Sequence, residues 1–130
     1  MKTRDFSGIR TGGVLPDVND IRPSEDMGEL LIEYIDSTDS LLEELERVTL
    51  AYESGMNRQE NAAIIRRVLH KMKGEASMVG MDDISQFCHQ TEDAFEEIPE
   101  NKRVDMLLRF KDWVFSAIQA LSQDDMVGGS

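Results

Sequence analysis

The stretch Ala62-Ala63-Ile64-Ile65-Arg66-Arg67-Val68-Leu69-His70-Lys71-Met72-Lys73-Gly74-Glu75-Ala76-Ser77-Met78-Val79-Gly80 reads as one amphipathic helix closed by a turn glycine. At about 100° per residue, Ala62, Ile65, Leu69, Met72, Ala76 and Val79 share a stripe, and His70 points roughly 140° away from it, toward solvent. Lys73 follows one turn later. Gly74 lies almost along the same face as His70, where an exposed mid-helix glycine costs about 1 kcal/mol relative to alanine. A physical reason for keeping it is the close approach of another macromolecule to the backbone beside His70, which a side chain at 74 would obstruct.

The same period extends to both sides. Between Ser24 and Ser54, the residues Leu31, Ile35, Thr38, Leu42, Leu45 and Tyr52 keep spacings of three and four, and Gly55 suits a helix end. The helix containing His70 should start near Asn57 or Arg58 and end at about Met78. Asp82 or Asp83 can cap a third helix whose apolar set is Ile84, Phe87, Cys88, Thr91, Ala94, Phe95 and Ile98. After Pro99, a fourth from about Asn101 to Leu121 buries Val104, Leu107, Phe110, Val114, Ala117, Ile118 and Leu121. Alternation with period two never persists. The expected fold is therefore all-α, an antiparallel four-helix bundle over residues 25–122. Residues 1–24, with Gly8, Gly12, Gly13, Pro16 and Pro23 and no sustained apolar period, are expected to form a flexible arm holding little of the core. Residues 123–130 are expected to be a short tail or linker.

The chain has 130 residues, one domain's worth, with 14 basic against 26 acidic side chains and a net charge of -12. That charge argues against nucleic acid and anionic membrane surfaces and in favour of protein partners. No apolar run approaches the roughly 20 residues needed to span a bilayer, and Met1 to Arg10 lacks an apolar signal core, so a cytoplasmic monomer is expected. A single cysteine, Cys88, excludes an internal disulfide and a cysteine-cluster metal site, and its place on an apolar stripe makes it a core residue. Most of the eight methionines are expected to be core filler.

Antiparallel packing of the second and third helices about residues 80 and 81 brings His89 and Glu92 within about one turn of the height of His70. Ser85, His89, Glu92 and Glu96 share the polar flank of the third helix, so His70, Lys73, His89 and Glu92 should form one exposed cluster. Such a cluster suits nucleophilic transfer at an imidazole nitrogen. Free imidazole titrates at about pH 6.5, so the neutral nucleophile is abundant at neutral pH. A carboxylate bonded to one ring nitrogen leaves the other nitrogen's lone pair outward, and Glu92 can serve His70 in this way. Lys73 supplies positive charge for an arriving phosphoryl group. A shallow site suffices, because phosphoryl transfer is mostly positioning and charge stabilisation.

His70-Lys71-Met72-Lys73-Gly74 and the later Gly80 resemble the His-x-x-Lys-Gly core and turn glycine of the histidine-containing phosphotransfer (HPt) domains of two-component signalling. With His89 and Glu92, the likeness is closest to the phosphotransfer domain of CheA-type chemotaxis kinases. It covers about residues 26–122 and is specific between 66 and 98. The resemblance implies that His70 is phosphorylated, that Lys73 contacts the phosphate, and that Glu92 and His89 give hydrogen-bonding support. It also implies that Gly74, with Lys71, Arg66, Arg67 and Ser77, forms the docking face for a response-regulator receiver domain. Glu75 departs from the small residue many members have after the glycine and adds negative charge near the site. No glycine-rich phosphate loop is present, so the chain reads as a phosphotransfer intermediate without its own ATP-binding domain. Phosphate would come from a histidine kinase ATP-binding domain, in cis or in trans, or from a phosphorylated receiver. No cofactor of its own is expected, and the Mg²⁺ that transfer needs would be held by the partner. Two rival readings differ in class: a non-catalytic acidic interaction module, and a metal-binding bundle using His89-x-x-Glu92 with His70. The second lacks the paired Glu-x-x-His motifs of di-iron bundles.

Overall fold

A computed structural model describes residues 4–23 and 26–128, with side chains described as far as Gln123. All regular structure among them is helical: α1 (Gly8–Thr11), α2 (Leu30–Glu53), α3 (Arg58–Met78), α4 (Asp82–Glu97) and α5 (Arg103–Gly128), with 3-10 turns at Val18–Asp20 and Glu100–Lys102. The four long helices form the expected antiparallel bundle. Each forms because its apolar residues recur at helical spacing with no proline inside, and burying that stripe stabilises it more than local propensity does. Ile65, Leu69, Ile84, Phe87, Phe95, Leu107, Phe110 and Ile118 are fully buried, each worth about 1.5–3 kcal/mol by removal from water. None of the described helices is long and apolar enough to cross a membrane.

The connection before α4 fixes the register that matters for the site. Gly80 adopts a left-handed φ of 81°, Met81 N–H donates to the Ala76 carbonyl at 2.8 Å, and Gly80 N–H donates to that of Ser77 at 3.3 Å. This is a Schellman closure, and its accompanying apolar contact is the burial of Met81 beside Ala76. Asp82 and Asp83 lie in the first turn of α4, not at its cap, and their side chains cap nothing. There they oppose the positive end of the helix dipole.

Several expected boundaries and burials are corrected. α2 starts at Leu30, later than Ser24, because Gly28 takes a φ of 58° in a turn where Leu30 and Leu31 donate to Met27 and Gly28. α5 continues past Leu121 to Gly128, since Ser122 to Val127 contains no residue that breaks a helix. Gly129 and Ser130, the end of the expected tail, lie outside the described residues. Met72, Met81 and Met106 are core, whereas Met56 and Met78 are exposed.

The largest correction concerns residues 1–24, whose described part contributes three side chains to the core. Phe6, Ile9 and Ile21 are buried at 2%, 3% and 0% exposure. Phe6 stacks on Phe87 with centroids 4.5 Å apart and meets Trp113 edge-on at 5.2 Å. Trp113 Nε1 donates to the Pro16 carbonyl at 2.8 Å. Arg109 donates to the carbonyls of Gly8, at 3.0 Å, and Gly13. The turn closes so tightly that a Cβ on Gly8 would lie 2.9 Å from the Gly13 carbonyl oxygen. Three well-placed apolar side chains thus seal the face between α4 and α5 without any helical period to announce them.

Candidate functional site

α3 and α4 are aligned by contacts on both sides of the exposed histidine. Toward the turn, Ser85 Oγ donates to the Lys73 carbonyl at 3.2 Å. Away from it, the Arg66 guanidinium grips Glu96 through Nε at 2.6 Å and Nη2 at 3.0 Å. That hydrogen-bonded guanidinium holds the Glu96 carboxyl below its ordinary range. His70 and Glu92 are equidistant in sequence from Met81, as are Arg66 and Glu96, so the register that pairs one set also pairs the other.

His70 projects from α3 with its side chain 74% exposed, and its Nδ1 lies 3.6 Å from Glu92 Oε2. The other oxygen of Glu92 is 2.8 Å from Lys73 Nζ. Glu92 is 22% exposed and Lys73 27%, so both are partly desolvated while the imidazole stands in water. The carboxylate spans the two basic side chains, one oxygen for each. The 3.6 Å separation lies just beyond hydrogen-bond length, and such contacts in resting sites often tighten only when substrate is bound. Nδ1 faces the carboxylate, so Nε2 is the nitrogen left toward solvent. One turn along the face, a Cβ placed on Gly74 would meet no atom within 4 Å. The glycine is therefore not required by packing or by backbone conformation within this chain.

The remaining sequence-selected residues divide. Lys71, Arg67, Gly74 and Ser77 are exposed on α3 around His70. Arg66 is also exposed but is engaged by Glu96. His89 does not join Glu92: its Nε2 is 3.5 Å from Asp93 Oδ2, one turn along α4, and Asp93 lies 4.0 Å from Arg10. The expected four-residue cluster is thus His70, Lys73 and Glu92, with His89 turned to a neighbouring ion network. The i, i+4 spacing of His89 and Asp93 was visible in the sequence; the arrival of Arg10 from the N-terminal segment was not. Glu75 turns toward α2, accepting a hydrogen bond from Ser37 Oγ at 2.6 Å, so its charge is drawn to that flank. Ser85 and Ser37, which bond the Lys73 carbonyl and the Glu75 carboxylate on the turn side of His70, have no pattern that distinguishes them from other serines.

Burial pushes the Cys88 thiol well above its ordinary pKa, which leaves it protonated and unreactive. Among the described residues no group of three His, Cys, Asp or Glu side chains is placed to hold a metal ion. At the site itself one carboxylate already faces a lysine, a donor set ill suited to a divalent cation. What the arrangement offers is an accessible imidazole nitrogen, an ammonium with donors for an oxyanion, and a carboxylate that faces both.

A family model described as the Hpt domain matches residues 29–124, which take in α2, α3, α4 and most of α5. No curated protein and no solved structure matches the chain.

Proposed function

Because the chain belongs to the Hpt domain family, whose members act in phosphorelays by histidine phosphotransfer and generally pass phosphoryl groups to receiver domains, we propose that His70 is the phosphoryl-carrying residue. The observation that supports this most directly is the exposed imidazole beside an open Gly74, with Lys73 and Glu92 paired within reach of it.

In the proposed step the Nε2 lone pair of His70 attacks the donor phosphorus in line. The bond from phosphorus to the donor oxygen breaks, and its electron pair leaves with that oxygen. The proton on Nδ1 stays on the ring and faces Glu92 Oε2, which offsets the positive charge that develops on the imidazole. Lys73, held beside Glu92 as an ion pair at 2.8 Å, has three N–H donors to offer phosphoryl oxygens. Onward transfer reverses these roles. A receiver aspartate oxygen attacks phosphorus, the P–N bond breaks, and the electron pair returns to Nε2. Mg²⁺ would be held by the partner domain, where it would neutralise phosphoryl charge.

The docking role of Gly74, Lys71, Arg66, Arg67 and Ser77 rests on their position around His70, and a helix face without a side chain at 74 suits a broad macromolecular surface. Kinship with CheA-type phosphotransfer domains is supported by Glu92 beside His70; the turning of His89 to Asp93 gives that residue a smaller part than the resemblance implied. The donor is then a kinase ATP-binding domain, in cis or in trans, with a monomeric carrier and the cytoplasm as its place of action.

The test is to incubate the protein with a phosphorylated receiver domain and Mg²⁺, and separately with ATP and a histidine kinase domain. Acid-labile, base-stable label should appear on the wild type and be absent from His70→Gln. Label persisting on His70→Gln overturns the assignment. Absence of label from every donor tried on folded protein favours a non-catalytic interaction module.

A further inference from the structure

Away from His70, the end of α2, the first half of α3, the turn at Glu100–Lys102 and the start of α5 enclose an open cavity of about 460 Å³ whose lining includes Arg58, Arg66, Arg103, Tyr52, Gln59 and Glu100. Three guanidiniums on one concavity are unexpected in a chain with 26 carboxylates and 14 basic side chains. Two carboxylates attend them, Glu96 paired with Arg66 and the largely exposed Glu100 3.8 Å from Arg103, which leaves Arg58 without one, and aromatic rings hold the guanidiniums in place. Arg58 lies over Tyr52 at 4.6 Å from the ring centroid, Arg103 over Phe95 at 4.4 Å, and Arg66 over the same ring at 5.3 Å.

Their hydrogen bonds leave donors over. Arg103 donates through Nε to the Phe95 carbonyl and through Nη1 to the Tyr52 hydroxyl. Arg66 uses Nε and Nη2 on Glu96. Arg58 makes a ring contact and no hydrogen bond to another described residue. Arginines stacked on rings lose little side-chain freedom on binding and present planar forks that match carboxylates in pairs. Arg58 is about 18 Å along α3 from His70 at 1.5 Å per residue, within the footprint of one ordinary protein interface. Arg66 belongs to both places.

We propose that this cavity receives carboxylate side chains of an acidic segment on a protein that docks over His70. The inference rests on the phosphotransfer reading for the presence of that partner. Carboxylates dominate the chain's charge and repel an acidic partner, so a cationic concavity at one end of α3 biases which way round the partner lies. A protein segment is favoured over a free metabolite because the cavity is open, polar and continuous through Arg66 with the face around Gly74.

The experiment uses an acetylated, amidated hexaglutamate peptide as probe, titrated into ¹⁵N-labelled full-length protein at low salt, with inorganic phosphate in a parallel arm. Saturable shifts confined to Tyr52, Arg58, Gln59, Arg66 and Arg103 are expected with the peptide, weakened at least tenfold by Arg58→Glu and unchanged in His70→Gln. Arg58 is exposed and its one recorded contact is with the Tyr52 ring, so this variant should keep the wild-type spectrum away from Tyr52. Absence of saturable shifts overturns the proposal, as does phosphate saturating the cavity more tightly than the peptide, which would make it a small-anion site. Because binding is read without phosphorylation, failure here leaves the labelling of His70 untouched, and failure of that labelling is recorded by the separate transfer assay.

Discussion

Gly74 offers a perturbation whose two consequences have opposite sign. Within the chain a methyl at this position meets nothing within 4 Å, and the helix continues without interruption from Arg58 to Met78. Gly74→Ala therefore gains helix propensity and lowers the entropy of the unfolded chain without a clash, about 0.4–1 kcal/mol in total. With an unfolding entropy of about 2.1 cal/mol/K per residue over 130 residues, a gain near 0.7 kcal/mol raises Tm by roughly 3 °C. Toward a partner the same atom intrudes where we propose that a receiver approaches the backbone. A larger Gly74→Gln side chain intrudes further while still meeting open space in the free protein. A misplacement of about 1 Å at the reacting centre can lower a rate by roughly 100-fold, so transfer from a phosphorylated receiver should fall progressively from glycine to alanine to glutamine. Thermal unfolding by circular dichroism gives the first quantity, and rapid-quench transfer kinetics with Mg²⁺ give the second. Stability that rises while the Gly74→Gln transfer rate stays at wild type refutes clearance as the reason for the glycine. A drop in stability refutes the claim that the face is open.

Phe6→Ala removes a ring enclosed by Phe87 and Trp113 and should destabilise the fold by about 3–5 kcal/mol in urea unfolding; a loss under 1 kcal/mol would return the N-terminal segment to the status of a loose arm. Glu92→Ala should slow His70 labelling by roughly tenfold without abolishing it, as loss of an orienting carboxylate does, and an unchanged rate removes Glu92 from the mechanism. Glu96, whose folded pKa is depressed by Arg66, contributes stability above its unfolded value near 4.5 that is lost as pH falls through the lower folded value. The pair is about half exposed, so screening limits this to about 0.2–1 kcal/mol. Glu96→Gln should therefore be slightly less stable than wild type at pH 7 and equal to it near pH 2; a gap that persists in acid refutes the ionic origin.

The four long helices, their order and their inward faces were legible in the sequence because helical period and turn glycines are local properties. The pairing of His70 with Glu92 was legible too. A short Schellman turn leaves two antiparallel helices little choice of register, so counting from Gly80 and Met81 places side chains to within a turn. Local signals could not show what Phe6, Ile9 and Ile21 do, since three apolar residues in a glycine-rich segment have no period and acquire partners only when α4 and α5 form their groove. Nor could they orient His89 and Glu75, each of which had two neighbours within reach and was decided by Asp93 on one side and Ser37 on the other. The arginine cavity depends wholly on tertiary structure. Arg58, Arg66 and Arg103 are scattered along the chain, and only the meeting of helix ends over the rings of Tyr52 and Phe95 places their charges together. Sequence thus determined the bundle and its exposed histidine by short-range periodicity, while long-range packing decided which segments seal the core and where arginines gather on an acidic protein.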